Sequence, residues 1–180
     1  MNTDDKDALF EALTQFNGVD LDVVDIGPDA VNEAMIRHWC VALGDTNPGY
    51  TDADVAAASV HGGIVAPPTM LQAWVMAPGP GVRSSDSPNA QDSAMQLLDA
   101  AGFTSVVATN CEQEYMRYLR PGDRLTMRRT IESISPEKTT GLGSGHFLTM
   151  RQSYFDAENE LVGTMLFRLL KFRPKAAQTA

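Results

Sequence analysis

Apolar residues recur at helical spacing along the first half of this chain. Between residues 29 and 43 they are spaced by fours, at Val31, Met35, Trp39 and Leu43. Asp29 stands where a side chain could cap the first turn, so the pattern predicts an amphipathic helix over residues 29–43. The stretch "TDADVAAAS" begins in the same capped manner and predicts a short second helix.

The segment that starts at Pro67, "PPTMLQAWVMA", is apolar on nearly every face. Proline is tolerated in the first turn of a helix, and Gln72 is the only polar side chain in the next two turns. A helix without a polar face is buried on all sides, so this one is predicted at the centre of the domain. Residues 78–93 are rich in Pro, Gly and Ser, which predicts a mobile loop, typical either of a lid or of disorder, before a short helix in "AMQLLDAAG".

The second half of the chain changes to approximate alternation of apolar and polar residues. Four stretches show it: "SVVATNCEQEYMRYL", "DRLTMRRTIESISP", "GLGSGHFLTMRQSYFD" and "ELVGTMLFRLLKFRP". Turn segments separate them, which predicts a four-stranded antiparallel meander, joined by an early strand near "VDLDVVDIG". The expected fold is α+β, with one antiparallel sheet wrapped around the apolar helix. We expect a single domain over residues 1–174 with a flexible N-terminus, and a tail or linker over 175–180.

Composition and charge narrow the classes of function. The 180 residues are 43% hydrophobic and 21% charged, without an apolar run long enough to span a membrane, so a cytoplasmic protein is expected. The net charge of −9 argues against nucleic acid as a partner. Residues 1–111 hold 3 Lys/Arg and 15 Asp/Glu, whereas residues 112–180 hold 11 and 8. The basic side chains of 117–129 and 168–175 could therefore contact the phosphates of a coenzyme, or could be ordinary solvent-facing strand positions.

Candidate chemistry centres on the turn "GDTNPGY", residues 44–50. Asp45 could be a catalytic carboxylate, or its side chain could only fix the Asn-Pro turn by accepting backbone N–H groups. His61 could supply a base from the following loop, or could have a surface or capping role. Cys40 and Cys111 lack a Cys or His cluster around them, which favours two reduced core thiols and no metal site.

The segments "GDTNP" and "GGIVAPP", followed by the strands, resemble the MaoC-like hot-dog family over roughly residues 20–174. Active members of that family hydrate trans-2-enoyl thioesters. Their motif Asp-x-Asn-Pro-x-His precedes an Ile-x-His-Gly sequence that opens the central helix. Asp45, Asn47 and Pro48 match this motif, but Tyr50 stands at the histidine position, and the His-Gly pair falls on Pro67 and Pro68.

These departures affect two requirements of the family's reaction, a base that activates water and a donor that polarises the carbonyl. The resemblance implies that the Asp and His hold one water, and that the N–H of the helix-opening glycine polarises the thioester carbonyl. Tyrosine is a poor base with a pKa of about 10, and proline has no N–H. We therefore expect no catalytic residue, with Asp45 as the residual candidate. The resemblance places these residues along a substrate pocket: Tyr50, Val65, Pro67, Pro68, Met70, Leu71 and Trp74.

Four segments, "MIRHWCVALGDTNPGY", "GIVAPPTMLQAWVM", "GFTSVVATNCEQEYMRYLRPGD" and "MLFRLLKFRP", are similar to the MaoC-like domain in large subunits of actinobacterial steroid side-chain enoyl-CoA hydratases. This implies a non-catalytic, acyl-binding half whose Asp/His pair comes from a smaller MaoC-like subunit, in an α2β2 heterotetramer. Coenzyme A would enter only as part of the substrate. In that group a C-terminal DUF35-type domain, absent from this sequence, could dock an aldolase or thiolase.

Two other classes of function remain open from the residues alone. One is a self-sufficient enzyme, either a homodimeric hydratase that uses Asp45 with His61 or a hot-dog thioesterase. The other is an interaction module that docks an aldolase or thiolase and binds no acyl-CoA. A base beside a bound water would favour the first, and the absence of an open apolar cavity beside the central helix would favour the second.

Overall fold

The computed structural model of the protein describes residues 3–76 and 89–175. Its α-helices are α1 (Thr3–Thr14), α2 (Glu33–Leu43), α3 (Ala53–Ala58) and α4 (Ala90–Ala100). Two 3₁₀ segments cover Pro48–Tyr50 and Pro68–Val75, and the second is called the central helix below. The strands are β1 (Asp20–Ile26), β2 (Ser105–Tyr115), β3 (Thr126–Ile134), β4 (Lys138–Thr139), β5 (Gly143–Phe155) and β6 (Leu161–Pro174).

All strands belong to one six-stranded antiparallel sheet with the order β1-β3-β5-β6-β2, and β4 pairs with β5. The early strand predicted near "VDLDVVDIG" is confirmed as β1. The simple meander is wrong, because β2 pairs with β6 and lies at the opposite edge from β1. Residues 116–125 are long enough to carry the chain across the sheet before β3, and consecutive strands need not be neighbours.

One face of the sheet carries both apolar clusters of the core. Alternate residues of β5 share this face, which we call the concave face, and they meet two apolar clusters. The first cluster packs the central helix against β3, β5 and β6, through Met70, Leu71, Trp74, Met127, Tyr154 and Met165. The second packs α1 and α4 on the other half of the same strands, through Leu9, Leu13, Leu98, Ile131, Leu148 and Met150. The expected α+β hot-dog arrangement, a sheet around a buried helix, is thus confirmed, although that helix is a 3₁₀ helix.

The amphipathic helix is shorter than its apolar spacing predicted. It begins at Glu33, and the cap is Asn32, whose side chain accepts a hydrogen bond from the Met35 N–H at 2.9 Å. Asp29 is not the cap, because residues 28 and 29 form a bend, the Val31 N–H donates to the Asp123 carbonyl, and the helix starts only after Asn32. The buried face is carried by Ile36 and Cys40, whereas the predicted Leu43 is 65% exposed.

Two segments expected to be flexible contain helix. The N-terminus forms α1, whose Leu9 and Leu13 are buried in the second cluster. In the predicted loop 78–93, residues 78–88 lie outside the described residues, whereas 90–93 form the first turn of α4. Asn89 and Asp92 close this turn as a reciprocal capping box, a pattern that the abundance of Ser and Pro in this segment obscured. Residues 176–180 also lie outside the described residues. Within the described ranges, no helix is both long and apolar enough to cross a membrane.

Gly163 in β6 sets how closely the central helix approaches the sheet. A Cβ at this position would come within 2.8 Å of Leu71 Cδ2 and 2.9 Å of the Glu114 carbonyl oxygen. We expect Gly163→Ala to lower the free energy of unfolding by about 1–3 kcal/mol, because the helix or β2 must move. Chemical denaturation measures this, with Gly141→Ala as the control, since nothing lies within 4 Å of a Cβ at Gly141. Equal stability of the two variants would contradict the close packing.

Candidate functional site

The "GDTNPGY" turn follows α2 directly and is held by its own side chains. Helix α2 ends at Gly44, which has a φ of 67°. The Asp45 Oδ1 then accepts the Asn47 N–H at 3.0 Å, and the Asn47 Oδ1 accepts the Gly49 N–H at 3.0 Å. Asp45 itself is exposed. Its carboxylate therefore has the turn-fixing role that aspartate takes before an Asn-Pro pair.

A cleft of about 370 Å³ lies between the end of α2 and this turn. It is lined by Arg37, Cys40, Val41, Gly44, Asp45, Thr46 and Thr51. Burial, and then the charge of Asp45, raises the pKa of the Cys40 thiol above its ordinary value, so this thiol is not an activated nucleophile. The lining includes no imidazole and none of the expected residues between Val65 and Trp74. This cleft is therefore not the apolar pocket that the sequence predicted.

Tyr50 occupies the position of the family's histidine and is half-buried against the first cluster. Burial raises the pKa of its hydroxyl above the ordinary value, and the neighbouring Tyr118 and Asp45 raise it further. The phenol therefore stays protonated at neutral pH and cannot accept a proton from water. It could still donate a hydrogen bond.

The His61 ring contacts an aromatic side chain. It lies against Tyr118 in a tilted arrangement, with centroids 4.4 Å apart and an interplanar angle of 53°. Its backbone N–H donates to Ser59 Oγ, and its carbonyl accepts a hydrogen bond from Arg120. Within the described ranges, no hydrogen bond joins its ring to a carboxylate. His61 is therefore a packing residue of the loop that leads into the central helix.

The start of the central helix has no free N–H where the family's glycine would supply one. The Ala66 N–H donates to the Leu119 carbonyl at 2.8 Å, and Pro67 and Pro68 have no N–H. The next bond along the chain is internal, from the Met70 N–H to the Pro67 carbonyl at 2.9 Å. This helix opening therefore offers no backbone donor over residues 66–68 to polarise a thioester carbonyl.

The other expected pocket residues are enclosed by protein atoms. Val65, Met70, Leu71 and Trp74 are each at most 2% exposed. Pro67 is buried and Pro68 is half-buried at the same helix start. Met70, Leu71 and Trp74 belong to the first cluster. Contact with a ligand stays a prediction for all six.

Sequence patterns did not reveal a row of polar side chains across the middle of the concave face. Cross-strand register aligns Arg129 with Gln152, Gln152 with Met165, and Met165 with Gln113. The Gln152 Oε1 accepts the Tyr154 hydroxyl at 2.7 Å, and the Gln113 Nε2 donates to Met165 Sδ at 3.2 Å. We call Arg129, Gln152 and Gln113 the polar strip. The sequence signal for this strip was a polar residue at a position where the alternation of each strand expects an inward-facing apolar one.

Several of the basic residues expected near a coenzyme are engaged within the chain. Arg117 pairs with Asp123 at 2.6 Å and with Asp156 at 2.9 Å. Other partners are Asp25 for Arg129, Asp99 for Lys171 and the Ala101 carbonyl for Arg173. These contacts engage four of the nine basic side chains in 117–129 and 168–175 within the chain.

The cysteines differ in environment, which corrects the expectation of two core thiols. Cys40 is buried in α2, but Cys111 is exposed on β2 because that strand forms the edge of the sheet. Among residues 3–76 and 89–175, no group of three or more His, Cys, Asp or Glu side chains could hold a metal ion.

Comparison with known proteins identifies the fold's relatives. Residues 18–165 match the family model described as "FAS1-like, dehydratase domain region". The chain belongs to this family. As a FAS1-like dehydratase domain it carries the MaoC-like hot-dog fold that its motifs predicted.

Two curated relatives have names that describe hydratase subunits. The "Probable enoyl-CoA hydratase alpha subunit" of Thermomonospora curvata is 46% identical over 156 residues, which cover 84% of this chain and 48% of the relative. The "3-oxo-4,17-pregnadiene-20-carboxyl-CoA hydratase alpha subunit" of Mycobacterium tuberculosis is 39% identical over 170 residues, covering 94% and 54%. This FAS1-like dehydratase domain thus spans about half the length of the curated relatives it matches.

A solved structure supports the same relationship. The crystal structure of the ChsH1-ChsH2 complex from Mycobacterium tuberculosis contains a chain that superposes with a TM-score of 0.83 at 35% identity. The match covers 99% of the FAS1-like dehydratase domain and 97% of that chain.

Proposed function

We propose that this chain is the acyl-binding, non-catalytic half of a heteromeric enoyl-CoA hydratase. A smaller MaoC-like subunit supplies the Asp/His pair, and the two subunits together bind a bulky enoyl-CoA in the cytoplasm. The observation that carries this proposal is the state of the family's catalytic positions. Asp45 is exposed and engaged in its own turn, Tyr50 is a protonated phenol, and Pro68 lacks the N–H that would polarise the carbonyl.

A bulky acyl group is supported by the concave face and by the relatives. The central helix has only eight residues and covers only the part of the concave face that the first cluster occupies. The polar strip lies on the same face, next to that cluster. The relatives are named as an enoyl-CoA hydratase and as a hydratase of a pregnadiene carboxyl-CoA. We therefore propose a long or polycyclic substrate, of the steroid side-chain class. Val65, Met70, Leu71 and Trp74 would form the apolar wall beside it, with coenzyme A as part of the substrate.

The outer edge of β2, which pairs with no further strand among the described residues, is the proposed contact with the smaller subunit. We call it the free edge. Because the Met116 N–H donates to the Val162 carbonyl at 3.0 Å, strand alternation directs the N–H groups of Cys111 and Gln113 away from β6. This edge also exposes large apolar side chains, with Val106 at 51% and Met116 at 53%. Such an edge favours pairing with a strand of a second hot-dog unit. Both curated relatives are named as alpha subunits, and we propose an α2β2 assembly.

The other function classes find less support. A self-sufficient hydratase or thioesterase needs a base, and the His61 ring lies against Tyr118 instead of pairing with Asp45. The enclosure of Met70, Leu71 and Trp74 is compatible with an interaction module that docks an aldolase or thiolase. The acyl-binding half is favoured over it because both curated relatives are named as hydratase subunits.

Loss of the conjugated enoyl-thioester absorbance tests the proposal. We expect no hydration by this chain alone and hydration of bulky enoyl-CoAs by the chain co-purified with a MaoC-like small subunit. The small subunit alone is the matched control and should be inactive or restricted to short acyl chains. Hydration of bulky substrates by this chain alone would overturn the proposal.

A further inference from the structure

The free edge of β2 carries two acidic side chains and no basic one. The strand reads SVVATNCEQEY, and both of its glutamates, Glu112 and Glu114, are exposed. Within residues 3–76 and 89–175, neither carboxylate forms a hydrogen bond or an ion pair. The edge at which a partner strand would add therefore has a negative charge that the chain itself does not neutralise.

Both glutamates lie on the face of the sheet that points away from the core, which we call the convex face. Gln113 is aligned with Met165 of the first cluster, so its two neighbours along the strand lie on the opposite face, about 7 Å apart. Hydrogen bonds to Glu132, at 2.8 and 2.9 Å, raise the pKa of the Arg151 guanidinium, and the charge of Glu114 contributes a smaller part. Because Arg151 is already paired, it leaves the acidic edge unbalanced.

A second copy of this chain would place like charges opposite each other at this edge. A two-fold axis that keeps both concave faces on one side pairs β2 with β2 in antiparallel orientation. In the register centred on Gln113, Glu112 of each copy lies opposite Glu114 of the other. In the two neighbouring registers, Glu112 or Glu114 lies opposite itself. Like charges directly opposite destabilise a strand pair, so the edge disfavours a homodimer.

The opposite edge of the sheet is poorly suited to strand pairing. β1 has three aspartates among its seven residues, and its register with β3 shifts between Asp20 and Val24. Asp22 has a φ of 53°, and its N–H donates to Asp20 Oδ1 at 2.9 Å. Irregular register and charged side chains are features by which natural edge strands avoid pairing. The free edge of β2 is thus the better site for adding a strand.

We propose that Glu112 and Glu114 select the partner strand by charge. The free edge binds a strand of the small subunit that carries Lys or Arg opposite both glutamates, and it disfavours a second copy of this chain. This selection rests on the proposed function and deepens it, because it specifies the chemistry of the partner's edge. Opposite charges across an antiparallel pair stabilise it and also speed the encounter of the two subunits. The same two residues therefore favour a heteromeric assembly over a homomeric one.

The test measures the Kd between this chain and the co-expressed MaoC-like small subunit by analytical ultracentrifugation at about 50 mM salt. We expect Glu112→Lys with Glu114→Lys to weaken the complex about 30-fold, because two attractive cross-strand pairs become repulsive. Glu112→Gln with Glu114→Gln removes the attraction without adding repulsion, and should weaken the complex about fivefold. At about 0.5 M salt the first effect should fall to about threefold or less, because exposed charges are screened.

Asp7→Lys with Glu11→Lys is the matched control. It makes the same change in net charge at exposed positions of α1, which packs on β3 toward the opposite edge of the sheet. The control should leave the Kd within about twofold of the wild-type value. Circular dichroism verifies that each variant is folded.

Two results would overturn the selection by charge. One is an equal Kd for the wild-type chain and for Glu112→Lys with Glu114→Lys. The other is a wild-type chain that dimerises alone as tightly as it binds the small subunit. Hydration by the wild-type complex would leave the proposed function intact in either case. A charge-dependent Kd in a complex that hydrates no enoyl-CoA would support the selection and overturn the proposed function.

Discussion

Cys111→Pro is expected to separate this chain from its small subunit and to abolish hydration by the mixture at micromolar concentration. The Cys111 N–H faces the free edge of β2, because Met116, of the opposite parity, bonds to Val162 of β6. Proline removes this donor and places its ring where a partner strand would lie. The lost hydrogen bond and the clash of the ring cost the interface up to about 3 kcal/mol, which weakens the complex by up to about 100-fold.

The same variant should leave the isolated chain folded. Proline is compatible with an edge strand when its missing N–H would face solvent, and the β2–β6 ladder is kept. Cys111→Val is the matched control, since it retains the N–H and a side chain suited to a strand. Analytical ultracentrifugation and circular dichroism measure assembly and folding. A complex that forms normally with Cys111→Pro would mean that the small subunit binds elsewhere.

Asp156→Ala should cause the largest loss of stability from a single polar side chain. Asp156 is 8% exposed and ends β5. Its Oδ1 accepts the N–H groups of Glu158 and Glu160 at 3.1 and 2.9 Å, and its Oδ2 accepts Arg117 at 2.9 Å. Removing this carboxylate breaks the β5–β6 turn and leaves Arg117 with Asp123 alone. We expect about 3 kcal/mol lower free energy of unfolding by denaturant titration.

The free energy of unfolding should depend on pH through the Asp156 carboxylate. The hydrogen bond from Arg117 holds the pKa of Asp156 below its ordinary value, followed by the Glu160 N–H. A depressed pKa in the folded state contributes stability that is present above the unfolded value of about 3.9 and is lost as the pH falls through the folded value. Asp156→Ala should flatten the stability curve in that acidic range. The exposed Glu158→Ala is the control and should change neither the slope nor the stability at neutral pH.

The sequence predicted the long strands and the burial of the central helix. Alternating apolar and polar residues are typical of strands, and a helix that is apolar on every face must be buried. The prediction failed where a local pattern is compatible with several pairings. The β2 stretch alternates like the others, yet its register with Gly163 and Met165 places it beside β6. Similarly, Asp29 is a plausible cap in the sequence, but the Val31 N–H bonds to the distant Asp123 carbonyl and the helix starts only after Asn32.

The candidate site was predictable only where single residue types decide the chemistry. The phenol of Tyr50 is a poor base at neutral pH, and Pro68 has no N–H to donate, whatever the fold. The alignment of the polar strip could not be predicted, because it depends on the register across strands. For the same reason, the sequence did not predict that Arg117 and Lys171 pair with carboxylates distant in the chain.

Steady-state hydration by the assembled complex carrying Asp45→Asn tests the central claim most directly. Asparagine keeps the Oδ1 that accepts the Asn47 N–H, so the turn and the assembly should persist while the carboxylate is removed. If this chain only binds the acyl group, kcat/KM should stay within about threefold of the wild-type value. A fall of about 100-fold or more, the usual effect of removing a general base, would show that Asp45 is catalytic and contradict the account.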